Sequence, residues 1–264
     1  MRLGFIGCGN MASAIMGGII ENGIVTPEDI WGSDVFAPGR EKVKEKFGIN
    51  VTADNLEVVE NTDVLILAVK PQYYESVIKE ITDKVRAEQI IITIAPGKTL
   101  SWLAEKFGKD VKIVRTMPNT PAMVCEGMTG ACRNEFVTDE ELETAVTILK
   151  GFGKVEVISE SLMDVVVSVS GSSPAYVYMF IEAMADAAVA DGMPRAQAYK
   201  FAAQAVLGSA KMVLETGKHP GELKDMVCSP GGTTIEAVRV LEREGMRSAV
   251  IEAMKRCAEV AKGM

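Results

Sequence analysis

The feature that most restricts what this chain can fold into is Gly7-Cys8-Gly9-Asn10-Met11-Ala12. It follows an apolar, β-rich run, Leu3–Gly7, and opens an amphipathic segment, Ala12–Asn22. In strand–turn–helix context each small residue has a physical task. Gly7 allows the tight turn, Gly9 lets the backbone approach a pyrophosphate, and Ala12 lets the helix lie close on the sheet. The helix N-terminus then faces the phosphates with its unpaired N–H groups. The motif reads as a dinucleotide-binding turn, with Ile6 through Ala12 against the cofactor.

The alternation continues. Apolar runs recur at Asp29–Ser33, Asp63–Val69, Ile90–Ala95, Lys112–Met117, Met128–Cys132 and Lys154–Ile158. Amphipathic segments lie between most of them, at Arg40–Phe47, Pro71–Ile81, Leu100–Phe107 and Asp139–Lys150. Strand and helix in alternation predict a parallel sheet covered on both faces. After Glu160 the pattern changes to helical spacing of Ala, Met, Leu and Glu through Ala175–Gly192, Arg195–Thr216 and Met246–Lys262. We therefore expect a dinucleotide-binding domain over residues 1–160 and an all-helical domain over 161–264. The β-branched run Val165–Val169 reads as a strand by itself. A helical half this small leaves its long apolar faces short of cover, and a paired subunit is one remedy.

Composition excludes several classes. The 264 residues carry a net charge of −8, which argues against a nucleic-acid surface. The 5 cysteines are odd in number and form no CxxC pair, so neither a disulfide framework nor a zinc ribbon is expected. The single histidine, His219, excludes sites built on several histidines, and no metal is expected. The most apolar stretch, Tyr176–Ala190, carries Glu182 and Asp186 and is too short and too charged to span a bilayer. With no targeting segment at the start, the expectation is a cytoplasmic protein that meets neither membrane nor nucleic acid.

Further motifs sit where open α/β sheets bind ligands, at the carboxyl ends of strands. Ser33-Asp34 ends the second strand. Asp34 suits the ribose 2′-OH of NAD, whereas Ser33 and Arg40 suit a 2′-phosphate, and the residue types leave both open. Ala68-Val69-Lys70-Pro71 ends the next strand, with Lys70 placed to line a cofactor, and Ala95-Pro96-Gly97 repeats the arrangement. Met117-Pro118-Asn119-Thr120-Pro121 is a loop stiffened by two prolines, a site wall or a structural corner. Ser229-Pro230-Gly231-Gly232-Thr233-Thr234 precedes the amphipathic segment Ile235–Glu244. Thr233 or Thr234 is the expected helix cap, and free N–H groups there would cradle a carboxylate or phosphate.

With these motifs in this order, the chain resembles the Δ1-pyrroline-5-carboxylate reductases from Gly4 to about Ala258. The resemblance rests on Gly4–Ala12, Ala68–Pro71, Met117–Pro121, Ser170–Tyr176, and His219–Asp225 through Ser229–Ile235, the last being the most specific. Ser173 stands where the family has glycine. The resemblance implies a Rossmann-type, mostly parallel sheet domain followed by an all-helical dimerisation domain, with Val165–Val169 in a helix. It implies reduction of 1-pyrroline-5-carboxylate to L-proline with NADPH preferred and NADH accepted. It also implies self-association into dimers and further into a decamer. Asn55 joins the expected cofactor residues. Glu160, Ser229, Gly231, Gly232, Thr233 and Thr234 are the expected substrate residues, with Thr234 catalytic. A hydroxyacid dehydrogenase of the 3-hydroxyisobutyrate type shares such a two-part layout. It would need a lysine soon after the glycine turn, but here Gly171–Ala175 leads to Tyr176, with no lysine until Lys200. A non-catalytic dinucleotide sensor would be free to lose the Ser229–Thr234 loop, which is intact.

Overall fold

The computed structural model describes residues 1–263, which divide into two compact units, Met1–Ser172 with the chain end from Cys257, and Ser173–Arg256. In the first unit, β1 (Leu3–Ile6), β2 (Ile30–Ser33), β3 (Asn50–Thr52), β4 (Val64–Leu67), β5 (Ile90–Thr93), β6 (Lys112–Met117), β7 (Gly127–Arg133) and β8 (Gly153–Val157) form one sheet. Their spatial order is β3-β2-β1-β4-β5-β6-β7-β8. The helices are α1 (Asn10–Glu21), α2 (Ala37–Phe47), α3 (Asn55–Asn61), α4 (Tyr74–Ile81), α5 (Leu100–Phe107), α6 (Asp139–Lys150) and α7 (Met163–Val166).

Both sheet faces are buried, as unbroken apolar strands such as Val64–Leu67 and Ile90–Ile92 require. Leu3, Phe5, Ile66 and Ile92 pack on one side with Ile15, Met16, Ile19 and Phe152. Ile6, Leu65, Leu67 and Ile91 pack on the other with Tyr74, Ile78, Leu103 and Phe107. The reversal of strand order at β1/β4 places the ends of both strands at one crevice, where the Gly7–Ala12 turn also lies.

Three readings taken from periodicity change, while the mostly parallel sheet and the helical Val165–Val169 that the resemblance implies are found. The sheet is parallel except where β7 runs antiparallel to β6. The link between those strands, Pro118–Glu126, holds only a short helical turn, Thr120–Val124, too little for a crossover back to a parallel neighbour. Two elements without clear periodicity, β3 and α3, complete the β2 edge. Val165–Val169 is helical, entering a π-helical turn at Val167–Gly171 that is marked by Ser172 N–H donating to Val167 O (2.8 Å). Here packing overrides β-propensity. The Val166 side chain lies against Gly130 of β7, and the Ser168 and Ser170 hydroxyls donate back to Val165 O (2.9 Å) and Val166 O (3.2 Å).

The second unit is helical: α8 (Ser173–Ala190), α9 (Arg195–Thr216), α10 (Pro220–Val227), α11 (Thr233–Arg243) and most of α12 (Met246–Lys262). Helices α8 and α9 pack together and are tied by an Arg195–Asp186 ion pair. Among its described residues the buried side chains are three alanines, Ala185, Ala198 and Ala202, while Leu214 is 82% and Phe201 68% exposed. A unit whose large apolar side chains face outward lacks a core of its own. Sedimentation of the intact protein is therefore expected to give a dimer or larger, and a stable monomer would contradict this reading. No described helix is long and apolar enough to cross a membrane.

Candidate active site

The glycine turn is built by close approach. Gly7 has φ +103°, and a Cβ there would lie 2.7 Å from Ala68 O, so only glycine lets β1 end against β4. Gly7 N–H donates to Ser33 O (2.7 Å), which ties the turn to β2 as well. Gly9 caps α1 in extended conformation with no side-chain cap, and a Cβ there would meet nothing within 4 Å. The first N–H groups of α1, at Asn10, Met11 and Ala12, thus start beneath open space. Ala12 is fully buried against the sheet. Cys8 is also buried. Burial, then the Asp34 charge, pushes its thiol up to about 12, so it stays protonated and is no nucleophile.

The residues expected around the cofactor ribose are brought together, with one arrangement that spacing does not show. The Asp34 carboxylate turns inward and accepts from Cys8 N–H (2.8 Å) and Phe36 N–H (2.9 Å), pinning the glycine turn to the end of β2. Arg40 NH1 donates to the Asp34 carbonyl, folding over the strand end. Ser33 is fully buried and donates to Asn55 Oδ1 (2.7 Å), and Asn55 Nδ2 donates to Glu80 Oε2 (2.9 Å). Glu80 was missed because it lies on α4, distant in sequence from the other two.

Ile6, Gly7, Gly9, Ser33, Asp34, Asn55 and Ala68-Val69-Lys70 line one cavity of about 410 Å³, joined by Tyr73, Val77 and Glu80. Lys70 is exposed and Pro71 starts the short helical turn Pro71–Tyr73, as a helix-opening proline should. Ala95, Pro96 and Gly97 continue from β5, with Gly97 at φ +75°. The Met117–Pro121 loop is a structural corner as well as a strand end. Asn119 accepts from Met128 N–H (2.8 Å) and donates to Ser170 O (3.0 Å).

Glu160 stands apart from that cavity. Its Oε1 accepts from Arg115 NH1 (2.8 Å) and from Leu100 N–H (2.6 Å) at the start of α5. Arg115, with its side chain only 5% exposed, balances the carboxylate that the low-dielectric surroundings would otherwise penalise. Neighbouring Cys132 is pushed up to about 11, by burial first and then by the Glu160 charge. Arg115 was not foreseen, since a buried arginine within an apolar strand carries no motif.

In the helical unit, Ser229–Gly232 forms a turn closed by Gly232 N–H donating to Ser229 O (3.0 Å). Gly231 has φ +66°, and a Cβ on Gly232 would strike Ser229 Oγ at 2.3 Å. The expected threonine cap is corrected: Gly232 is the N-cap, and Thr233 and Thr234 occupy the first turn of α11. The Gly232 N–H closes the turn onto Ser229 O, so residue 232 is the last one outside α11 and the threonines fall in its first turn. Both threonines and Ser229 are exposed. His219, read as part of a turn, caps α10 by accepting from Gly221 N–H (3.0 Å).

Comparison with known proteins agrees with this layout. The family described as pyrroline-5-carboxylate reductase dimerisation matches residues 160–264, and the one described as NADP oxidoreductase coenzyme F420-dependent matches residues 2–97. Pyrroline-5-carboxylate reductase of Escherichia coli is 58% identical over 98% of this chain and 96% of its own length. The enzyme of Methanosarcina acetivorans is 47% identical over 99% and 97%. Among solved structures, a pyrroline-5-carboxylate reductase from Coxiella burnetii superposes with TM-score 0.92 at 37% identity, covering 99% of this chain and 97% of that one. Plasmodium falciparum pyrroline carboxylate reductase with NADP bound gives TM-score 0.90 at 32% identity, covering 100% and 97%. Sheet order, glycine turn, helical dimerisation segment and full-length identity converge: the chain belongs to the pyrroline-5-carboxylate reductase family of oxidoreductases.

Proposed function

We propose that this chain reduces the C=N bond of 1-pyrroline-5-carboxylate with hydride from NADPH, and less readily from NADH, giving L-proline in the last step of proline biosynthesis. The observation that carries the reading is the 58% identity to the Escherichia coli enzyme along nearly the whole of both chains. In this reading residues 1–160 hold the cofactor and 161–264 pair subunits and bind substrate. Dimers assemble further into a decamer in the cytoplasm.

The residues present fit a dinucleotide. Gly9 leaves space where a Cβ would stand, and the α1 N-terminus below it offers N–H donors to a pyrophosphate. Gly7 and Ala68–Pro71 would form the wall beside it, Asn55 and Arg40 would face the adenosine ribose, and the buried Ser33 would act there by holding Asn55. Ala95–Gly97 extends the wall from β5. When bound, the nicotinamide supplies a hydride to the imine carbon.

The chain's own part is orientation and charge. The substrate is a cyclic imine bearing a carboxylate. Ser229 Oγ and the N–H groups of Thr233 and Thr234 hold that carboxylate, the Gly232 N–H being engaged in closing the turn, and the helix dipole of α11 favours it. The Thr234 hydroxyl hydrogen-bonds the ring nitrogen, which carries the proton the product amine keeps. A threonine is a weak acid, so its contribution is alignment more than proton donation. Glu160 approaches the substrate with the oxygen that Arg115 and Leu100 leave unused. The Ser229–Thr234 loop comes from a second copy of the chain, which makes the site depend on assembly. Oxidation of NADPH with pyrroline-5-carboxylate, set against reduction of NAD with 3-hydroxy acids, tests the reading. Turnover of the hydroxy acids alone would replace it with the hydroxyacid dehydrogenase alternative.

Cofactor preference turns on Asp34 and Arg40. Because the Asp34 carboxylate already accepts two backbone N–H groups, its hold on a 2′-OH is weakened, and Arg40 is a cation bonded to the strand-end carbonyl. Arg40→Ala is expected to raise KM for NADPH by roughly fivefold, about 1 kcal/mol for one exposed contact, and to leave KM for NADH nearly unchanged. Equal effects on both cofactors would transfer discrimination to Asp34.

A further inference from the structure

The β4/β5 ladder ends in an unusual way. Ile90 N–H donates to Asp63 O, and the register continues through Ile66↔Ile92 and Leu67↔Thr93. By the alternation of a parallel ladder, the next bond along would run from Ile94 N–H to Leu67 O. The Tyr74 hydroxyl stands between those two groups instead. It donates to Leu67 O (2.5 Å) and accepts from Ile94 N–H (3.3 Å). Its ring is completely buried at the first position of α4, among Leu67, Ile78 and Ile91. On the opposite edge of β4 the ladder continues normally, with Ala68 N–H donating to Ile6 O (2.8 Å). The separation is thus confined to the β4/β5 side.

We propose that Tyr74 is a positioning residue for cofactor binding. Its phenol is spliced into the sheet where a strand-to-strand bond would fall, and so sets the spacing between the Ala68–Pro71 and Ala95–Gly97 segments. The geometry gives the hydroxyl both roles, donor to one strand end and acceptor from the other, so neither backbone group is left unpaired in the core. Burial also raises the phenol well above its ordinary range, so it remains a donor across all working pH. Phenylalanine would keep the ring and lose both bonds. The strands could then close on each other or leave Leu67 C=O and Ile94 N–H without partners. Either outcome moves the two loops. The inference rests on the reading that these loops border the cofactor.

The test is Tyr74→Phe in the full-length protein, assayed with NADPH and pyrroline-5-carboxylate and by direct NADPH titration. Expected are a rise of about fivefold to tenfold in KM and Kd for NADPH, as for one or two lost hydrogen bonds, and a kcat within about twofold of the parent. Ile78→Val, in the same helix and core, is the control for a general loss of stability. It is expected to lower the melting temperature without changing KM for NADPH. An unchanged KM in Tyr74→Phe, or an equal rise in Ile78→Val, overturns the positioning role. If the parent itself does not reduce pyrroline-5-carboxylate yet Tyr74→Phe still weakens NADPH binding, the proposed reaction fails and the positioning role stands. Should Tyr74→Phe not accumulate folded, amide exchange at Ile94 and Ala95 of the parent decides. Slower exchange on adding NADPH is expected, and no change overturns the proposal.

Discussion

Thr234→Ala is expected to lower kcat by roughly 30- to 1,000-fold while KM for NADPH changes little, the loss of at most about 2–4 kcal/mol seen when a donor aimed at the reacting group is removed. The expectation follows from where the structure puts this threonine. Gly232 caps α11, so Thr234 has no capping duty, and its exposed position in the first helical turn costs little on truncation. A large kinetic effect with an unchanged melting temperature would therefore report chemistry. Thr234→Ser, which keeps the hydroxyl, is expected to recover most of the rate. If Thr234→Ala turns over at the parent rate, the ring nitrogen is served by another group, and the helix N-terminus with Ser229 carries the site.

What could be read from the sequence was whatever depends on local order. Gly7, Gly9 and Ala12 have tasks set by the strand before them and the helix after them, and the structure gives Gly7 a positive φ, leaves open space beside Gly9 and buries Ala12. Apolar runs such as Val64–Leu67 announced buried strands because both of their faces are covered. The failures come from contacts between residues far apart. Val165–Val169 has the composition of a strand, but a helix there seats Val166 on Gly130, a contact periodicity cannot contain. The antiparallel β7 follows from a connection too short for a crossover.

The site shows the same division. That Asp34 and Ser33 lie at the end of β2 was legible; that the Asp34 carboxylate clasps Cys8 N–H, and that Ser33 is occupied with Asn55, was not. Both depend on which way a side chain turns. Arg115 and Tyr74 sit in apolar elements where composition calls for core residues, and their polar atoms matter only through partners on other strands, Glu160 in one case and Leu67 with Ile94 in the other. The threonine cap was misplaced by local reasoning, because capping preference does not include the turn that joins Gly232 N–H to Ser229 O and ends at residue 232.

Gly7→Ala and Gly9→Ala are expected to separate folding from cofactor binding within a single turn. At Gly7 the backbone is at φ +103°, a conformation costing an L-residue about 1–3 kcal/mol. The added Cβ would also lie 2.7 Å from Ala68 O and 2.9 Å from Val69 N, backbone atoms of a strand end that cannot swing aside. The two costs act together, so Gly7→Ala is expected to lose at least about 2–4 kcal/mol, which lowers the melting temperature by roughly 5–15 °C. Because relief requires pushing the Ala68–Pro71 segment outward, NADPH affinity should fall by more than about tenfold as well. At Gly9 the backbone, φ −74° and ψ −170°, suits any residue, and a Cβ meets nothing within 4 Å. Gly9→Ala is therefore expected to melt with the parent, yet its methyl group stands where the pyrophosphate would approach and should cost about tenfold or more in NADPH affinity. Thermal melts and NADPH titrations of the two variants check both statements. Were Gly9→Ala to bind NADPH as the parent does, the open space above the α1 N-terminus would not be the phosphate seat. Were Gly7→Ala to melt as the parent does, the approach of β1 to Ala68 would be looser than these distances describe.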